Sequence, residues 1–235
     1  MKEAKWNAFL FTVLLFFFLG RTVQAQIIQG AVIFGGNLTQ VDGDEVYGFN
    51  RVGFNVGASA IIPINDHWSV SIEALYAQKG AYRGPLWKPI PPDTVDGRYS
   101  YRLNYAEIPI LLHYNDKDVM TFGLGFSFGR LVSYTEYDNR MDIFNWVEYK
   151  ANPAINNMEA IGDIRFRVYK NLKLNFRYSY SLFSFRDAVF HWEDLDHPEE
   201  RQQYHNVISC RFIYIINEKQ SKFTRKENKV FNDMQ

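Results

Sequence analysis

Met120-Thr121-Phe122-Gly123-Leu124-Gly125-Phe126-Ser127-Phe128-Gly129-Arg130-Leu131-Val132 decides how this chain folds. Successive side chains of an extended strand point to opposite faces. Met120, Phe122, Leu124, Phe126 and Phe128 therefore share one face, and Thr121, Gly123, Gly125, Ser127 and Gly129 the other. One face is large and apolar, the other small or polar. Similar stripes recur seven more times, with no helical segment to cover them. A water-soluble sandwich would hide such stripes between two sheets, whereas a membrane barrel turns them toward lipid.

Period-two reading predicts eight strands, over residues 28–38, 51–62, 68–79, 99–114, 120–132, 157–168, 172–182 and 207–216. Each is as long as the roughly 9–11 residues that a tilted membrane strand requires. In the fourth, Tyr101, Leu103 and Tyr105 give way to Ile108, Ile110 and Leu112. A β-bulge near Glu107–Pro109 would produce that change of phase and accommodate a proline without a backbone donor. Three connections are short and rich in turn formers: Pro63-Ile64-Asn65-Asp66, Asn115-Asp116-Lys117 and Lys170-Asn171. Four are longer, over 39–49, 81–98, 136–155 and 184–203, and they alternate with the short ones. The pattern predicts an all-β, eight-stranded antiparallel up-and-down transmembrane β-barrel. Its short turns and both termini would be periplasmic and its long loops extracellular.

The start of the chain agrees. Lys2 and Lys5 precede an apolar run over residues 8–19, and Val23-Gln24-Ala25 follows. That is the layout of a secretory signal peptide cleaved after Ala25, too short to span a bilayer as a helix. The expected division is a signal peptide over 1–25, a barrel over 26–217 and a polar periplasmic tail over 218–235. Acidic and basic residues balance at 26 each, which gives no general attraction to nucleic acid. With 15 Tyr, 20 Phe and 5 Trp the chain is rich in aromatics, yet its mean hydropathy is slightly negative. Lipid-facing and lumen-facing residues average out in this way. Trp68, Tyr76, Tyr101, Tyr134 and Tyr178 lie near strand ends and suit interfacial girdles. Cys210 is the only cysteine, so no internal disulfide or multi-cysteine metal site can form.

The polar faces supply Arg51, Glu73, Lys79, Arg102, Glu159, Asp163, Arg165, Arg167, Lys173, Arg177 and Arg211. Eight strands enclose an interior just wide enough for side chains to fill. A salt-bridged plug is the expected arrangement, with an anion-selective pore as the sharper alternative, since bases outnumber acids in this set.

Several stretches resemble a known family. They are Gly35-Gly36-Asn37-Leu38-Thr39-Gln40-Val41-Asp42-Gly43-Asp44, Glu73-Ala74-Leu75-Tyr76-Ala77-Gln78-Lys79-Gly80, Leu103-Asn104-Tyr105-Ala106-Glu107-Ile108-Pro109-Ile110-Leu111-Leu112 and Gln203-Tyr204-His205-Asn206. In order and spacing they are similar to the PorT-like, porin-family outer-membrane β-barrel proteins of Bacteroidota. The resemblance implies a barrel of about eight strands. It also implies a structural or interaction role, in some members within secretion machinery, but it brings no functional residues. A polar tail follows the last strand, where many barrels end on an aromatic residue.

Chemistry-bearing constellations are sparse. His191-Trp192-Glu193-Asp194-Leu195-Asp196-His197 holds metal-ligand and acid–base residue types, but its spacing matches no dedicated motif. Asp42-Gly43-Asp44-Glu45 reads as a solvated acidic turn lacking the remaining ligands of a calcium loop. Gly123-Leu124-Gly125 continues into strand, so it is no dinucleotide fingerprint. No nucleophile elbow or phosphate-binding loop is present. No cofactor, metal or catalytic residue is therefore assigned. Trp87, His191 and Trp192 are the candidate surface-loop contacts. The expected partners are outer-membrane lipid, the barrel-assembly machinery and proteins of an envelope or secretion assembly. A narrow pore for small ions or solutes and a rim-loop enzyme are the alternatives.

Overall fold

The computed structural model describes residues 28–85, 97–116, 119–139, 145–192 and 198–216, with the backbone alone at 145–149 and 191–192. Ten strands follow in chain order: β1 (Gln29–Asp42), β2 (Arg51–Pro63), β3 (Trp68–Arg83), β4 (Tyr99–Asp116), β5 (Met120–Asp138), β6 (Asn145–Lys150), β7 (Asn156–Tyr169), β8 (Leu172–Ser181), β9 (Arg186–Trp192) and β10 (Glu199–Ile215). Eight of them form a closed antiparallel ring in the order β1-β2-β3-β4-β5-β7-β8-β10, shut by pairing of β10 with β1 from Ala31↔Ile215 to Asp42↔Tyr204. Closure matters because an open edge would leave unpaired N–H and C=O groups, costly in lipid. The expected fold is the observed one.

The apolar stripes face outward. Phe34, Phe54, Ile108, Ile110, Leu124, Phe126, Phe128 and Phe212 are exposed around the outside of the ring, and Phe34 stacks on Phe212 across the closing seam. Cys210 lies on the same outer surface. At the end carrying the short turns, Trp68 packs edge-on against Tyr114, and His67 stacks on that ring from the neighbouring turn. The first and last described strand ends, Gln29 and Ile215, lie at this same end.

A small barrel must coil its strands tightly, and glycines on the inner face allow it. A Cβ built on Gly125 would lie 2.0 Å from the Ile110 carbonyl oxygen, and one on Gly57 would lie 2.0 Å from that of Ala74. Backbone rather than side chain closes in at both positions, so no rotamer change relieves a larger residue.

Three sequence expectations are corrected. Strand β4 keeps one phase throughout, and Tyr99, Tyr101, Leu103, Tyr105, Glu107 and His113 all face inward. The bulge lies in β5, where Val132 is skipped between the pairs Tyr105↔Leu131 and Asn104↔Ser133. Tyr101 is thereby an interior residue and no part of a girdle; Tyr134 packs edge-on against it at the mouth. Arg102 sits at an even position of β4 and projects outward, not into the lumen. Finally, two segments expected to be loop contain strands. β9 pairs with the first part of β10, from Glu199↔Phe190 to Gln203↔Arg186, and β6 pairs with β9. They extend the sheet beyond the ring at the long-loop end.

Candidate functional site: the packed lumen and its rim

Alternation along each strand aims every second residue at the barrel axis, and polar side chains there must find partners because bulk water is excluded. Two charged layers result. In the layer nearer the short turns, Glu73 of β3 accepts from Arg165 of β7 at 3.0 Å, Arg177 of β8 at 3.0 Å and Arg211 of β10 at 3.3 Å. Asp163 shares two of those guanidinium groups, at 3.3 Å from Arg165 and 3.0 Å from Arg177. Asn175 accepts from Arg211 Nε at 2.8 Å. Glu73 thus holds strands on opposite sides of the ring together through its interior.

Six residues further along β3, Lys79 forms the second layer. It pairs with Glu107 of β4 and, at 2.5 Å, with Glu159 of β7. Asn157 donates to the same Glu159 oxygen at 2.8 Å. Counted together, the two layers hold the acids Glu73, Glu107, Glu159 and Asp163 against the bases Lys79, Arg165, Arg177 and Arg211. These two layers are together neutral. The sequence-based surplus of bases has two sources: Arg102 faces outward and Glu107 inward, against the expected phase of β4, and Arg51, Arg167 and Lys173 are not among the residues of the two layers.

Above these layers the interior turns aromatic. Tyr99, Tyr101, Leu103 and Tyr105 pack with Val41, Val46, Ala81 and Phe185. Phe185 enters from the segment between β8 and β9 and stacks on His205 at 4.0 Å and 4°. Tyr105 Oη and His205 Nε2 lie 3.0 Å apart. Arg186 covers the Tyr101 ring at 4.2 Å and donates to Glu136 Oε2 at 2.7 Å. Glu136 also pairs with Lys150 at 2.9 Å. Burial pushes the Glu136 carboxyl up, but these cations outweigh it and hold the group below the usual carboxylate range.

The remaining predicted residues are scattered. Arg51 is buried at the far end of β2, where it donates to Ser100 Oγ at 3.0 Å, away from both charged layers. Arg167 is at the short-turn rim and donates to the Lys170 carbonyl. Trp87 and His197 lie outside the described residues; His191 and Trp192 belong to β9, described there by backbone alone. In the acidic turn, Asp44 Oδ1 accepts from the Val46 amide at 2.9 Å and Glu45 pairs with Arg201 at 2.7 Å. Residues 1–25 and 218–235 also fall outside the described portion.

One triad of suggestive residue types does occur. Ser71 Oγ lies 2.7 Å from His113 Nε2, and His113 Nδ1 lies 3.6 Å from Asp163 Oδ1. Acyl-transfer triads need an accessible hydroxyl and a histidine oriented by its acid. Here Ser71 is 0% and His113 1% exposed, the histidine–aspartate contact is longer than a hydrogen bond, and Asp163 is engaged by arginines. Among the described residues no cluster of three or more His, Cys, Asp or Glu is arranged to hold a metal ion.

An antiparallel ring with an apolar exterior, a polar interior and alternating short and long connections defines a transmembrane β-barrel. Residues 24–187 match the family described as outer membrane protein beta-barrel domain, and the chain belongs to that family. No curated protein matches it. Among solved structures it is similar to Neisserial surface protein A, with 11% identity, a TM-score of 0.49, and coverage of 80% of this chain and 97% of that one. It is also similar to Ail of Yersinia pestis, with 13% identity, a TM-score of 0.44, and coverage of 80% and 99%. OprG from Pseudomonas aeruginosa gives 13% identity, a TM-score of 0.39, and coverage of 83% and 99%.

Proposed function

We propose that this outer-membrane barrel is a closed-lumen scaffold whose surface loops and tail engage other proteins of an envelope or secretion assembly. The observation that carries this reading is the pair of neutral, cross-strapped layers. A pore needs a continuous water path, whereas Glu73 is bonded to three strands at one level and Lys79 to two at the next. Anion selectivity would need excess positive charge where the lumen is strapped shut, and in those two layers four acids meet four bases. The even number of ring strands favours periplasmic termini, after removal of a signal peptide over 1–25, and long loops displayed outside. Placement in the PorT-like branch of Bacteroidota rests on the sequence stretches quoted above. Insertion would depend on the barrel-assembly machinery, and Trp87, His191 and Trp192 are the first loop contacts to test.

Planar-bilayer recording of the purified, folded barrel tests the closed lumen. No stepwise conductance above the lipid baseline is expected. Steady single-channel steps with anion preference would establish the pore instead. Surface proteolysis of intact cells tests orientation, with cleavage expected in the long loops alone.

A further inference from the structure

Arg102 of β4 and Arg130 of β5 both project from the outside of the barrel, and neither is ion-paired among the described residues. Register places them on one patch. Arg130 sits opposite Ala106 and Arg102 opposite Thr135, so four residues of β4, about 13 Å at ~3.3 Å per residue, separate their levels. Between them, Asn104 donates to Ser133 Oγ at 2.9 Å on the same exposed face. Immediately toward the short turns the same two strands present Ile108 beside Phe128 and Ile110 beside Phe126, all exposed. The arginines therefore stand where the apolar belt ends.

The opposite wall differs. At its corresponding level β1 carries Asp42, which accepts from Asn206 of β10 at 3.4 Å, and Tyr180 stacks on Tyr204 at 6.1 Å. Arg201 of β10, at the long-loop end of this wall, is already paired with Glu45 and Glu199. A guanidinium at the edge of hydrocarbon keeps its stem in the apolar layer and its head among polar groups. Its planar donors match phosphate as they match carboxylate, phosphate is the anion a lipid surface offers, and each such cation near an anionic surface adds about 1 kcal/mol.

We infer that the outer face of β4–β5 binds a phosphate-bearing glycolipid of the outer leaflet, with Arg102 and Arg130 flanking the Asn104–Ser133 pair and donating hydrogen bonds to its phosphate oxygens. The choice of leaflet rests on the orientation proposed above; the phosphate chemistry does not. The test uses the full chain folded in neutral detergent and titrated with a bisphosphorylated disaccharide glycolipid, lipid A, or with its phosphatase-treated form. Adducts are counted by native mass spectrometry. The phosphorylated lipid should bind, and the treated form should not. Arg102→Gln/Arg130→Gln should weaken binding roughly thirtyfold while keeping the heat-modifiable gel shift of a folded barrel. Arg167→Gln, at the other rim, should bind as the parent does, and millimolar inorganic phosphate should not displace the lipid. Binding that ignores the two arginines or the phosphates, or that inorganic phosphate abolishes, overturns the assignment. Surface proteolysis separately decides orientation: cleavage from the periplasmic side with lipid binding intact would leave the phosphate site standing and refute the outer leaflet.

Discussion

Glu73 shows how a single side chain can hold a barrel in shape. Its carboxylate is fully buried and faces three guanidinium groups from three strands. Removing one partner of a buried network costs about 3–5 kcal/mol, because the charges left behind have neither water nor a counter-ion. Glu73→Gln leaves Arg165, Arg177 and Arg211 with Asp163 as the only nearby carboxylate. The unfolding free energy obtained by urea titration in lipid vesicles should fall by about that amount. Adding Arg177→Met removes one surplus cation, so the double variant should be less unstable than the sum of the two single changes. Strict additivity would mean that the network is not coupled through Glu73. The sequence revealed Glu73 and its arginines because each lies at the polar beat of a strand whose other beat is aliphatic or aromatic. It did not reveal Glu107. That residue follows Tyr101, Leu103 and Tyr105 on the same beat, and greasy residues there were read as lipid-facing.

At the scale of elements, alternation identifies strands but does not say which face is inside. Near the short turns the question answers itself, since one beat is charged and the other apolar. Toward the long loops the beat of Tyr99, Tyr101, Leu103 and Tyr105 is apolar and that of Ser100, Arg102 and Asn104 polar, yet the apolar beat faces inward. The inside there is set by what must fill it: Phe185 arriving from a connection, stacked on His205. β9 was hidden for a related reason. Its alternation over Arg186–Trp192 is short, and its pairing partner is the far end of β10 rather than a neighbour across a tight turn. This extension is fastened to the ring by Glu136, which holds Arg186 of β9 and Lys150 of β6. Because the folded state lowers the Glu136 pKa, its contribution is full above the ordinary carboxylate value and is lost as pH falls through the lower, folded one. Hydrogen exchange in β9 should therefore accelerate as pH drops below about 4, after correction for the intrinsic rate. Glu136→Gln should exchange faster at neutral pH and show a weaker acid dependence. An acid response unchanged by that substitution would place the fastening elsewhere.

On the scale of the whole molecule, closure and packing solve two separate problems. Pairing of β1 with β10 removes the sheet edges, and the two charged layers remove the water-filled lumen. The layers lie at different heights, so they act as stops in series, and either alone should block the path. Replacing Lys79, Glu107 and Glu159 together by alanine keeps the interior nearly balanced, since one base and two acids depart. Conductance should stay at baseline, because the Glu73 layer is intact and the aromatic residues around Tyr105 still cap it. Adding Glu73→Ala, Arg165→Ala and Arg177→Ala thins the Glu73 layer as well, and only then should small, intermittent steps emerge. Heat-modifiable migration must accompany each recording, so that silence from an unfolded chain is not mistaken for a closed one. Steps from a folded triple variant would show that the Lys79 layer alone seals the barrel, whereas silence from a folded variant lacking both layers would move the seal to the aromatic cap and make Phe185 the next residue to remove.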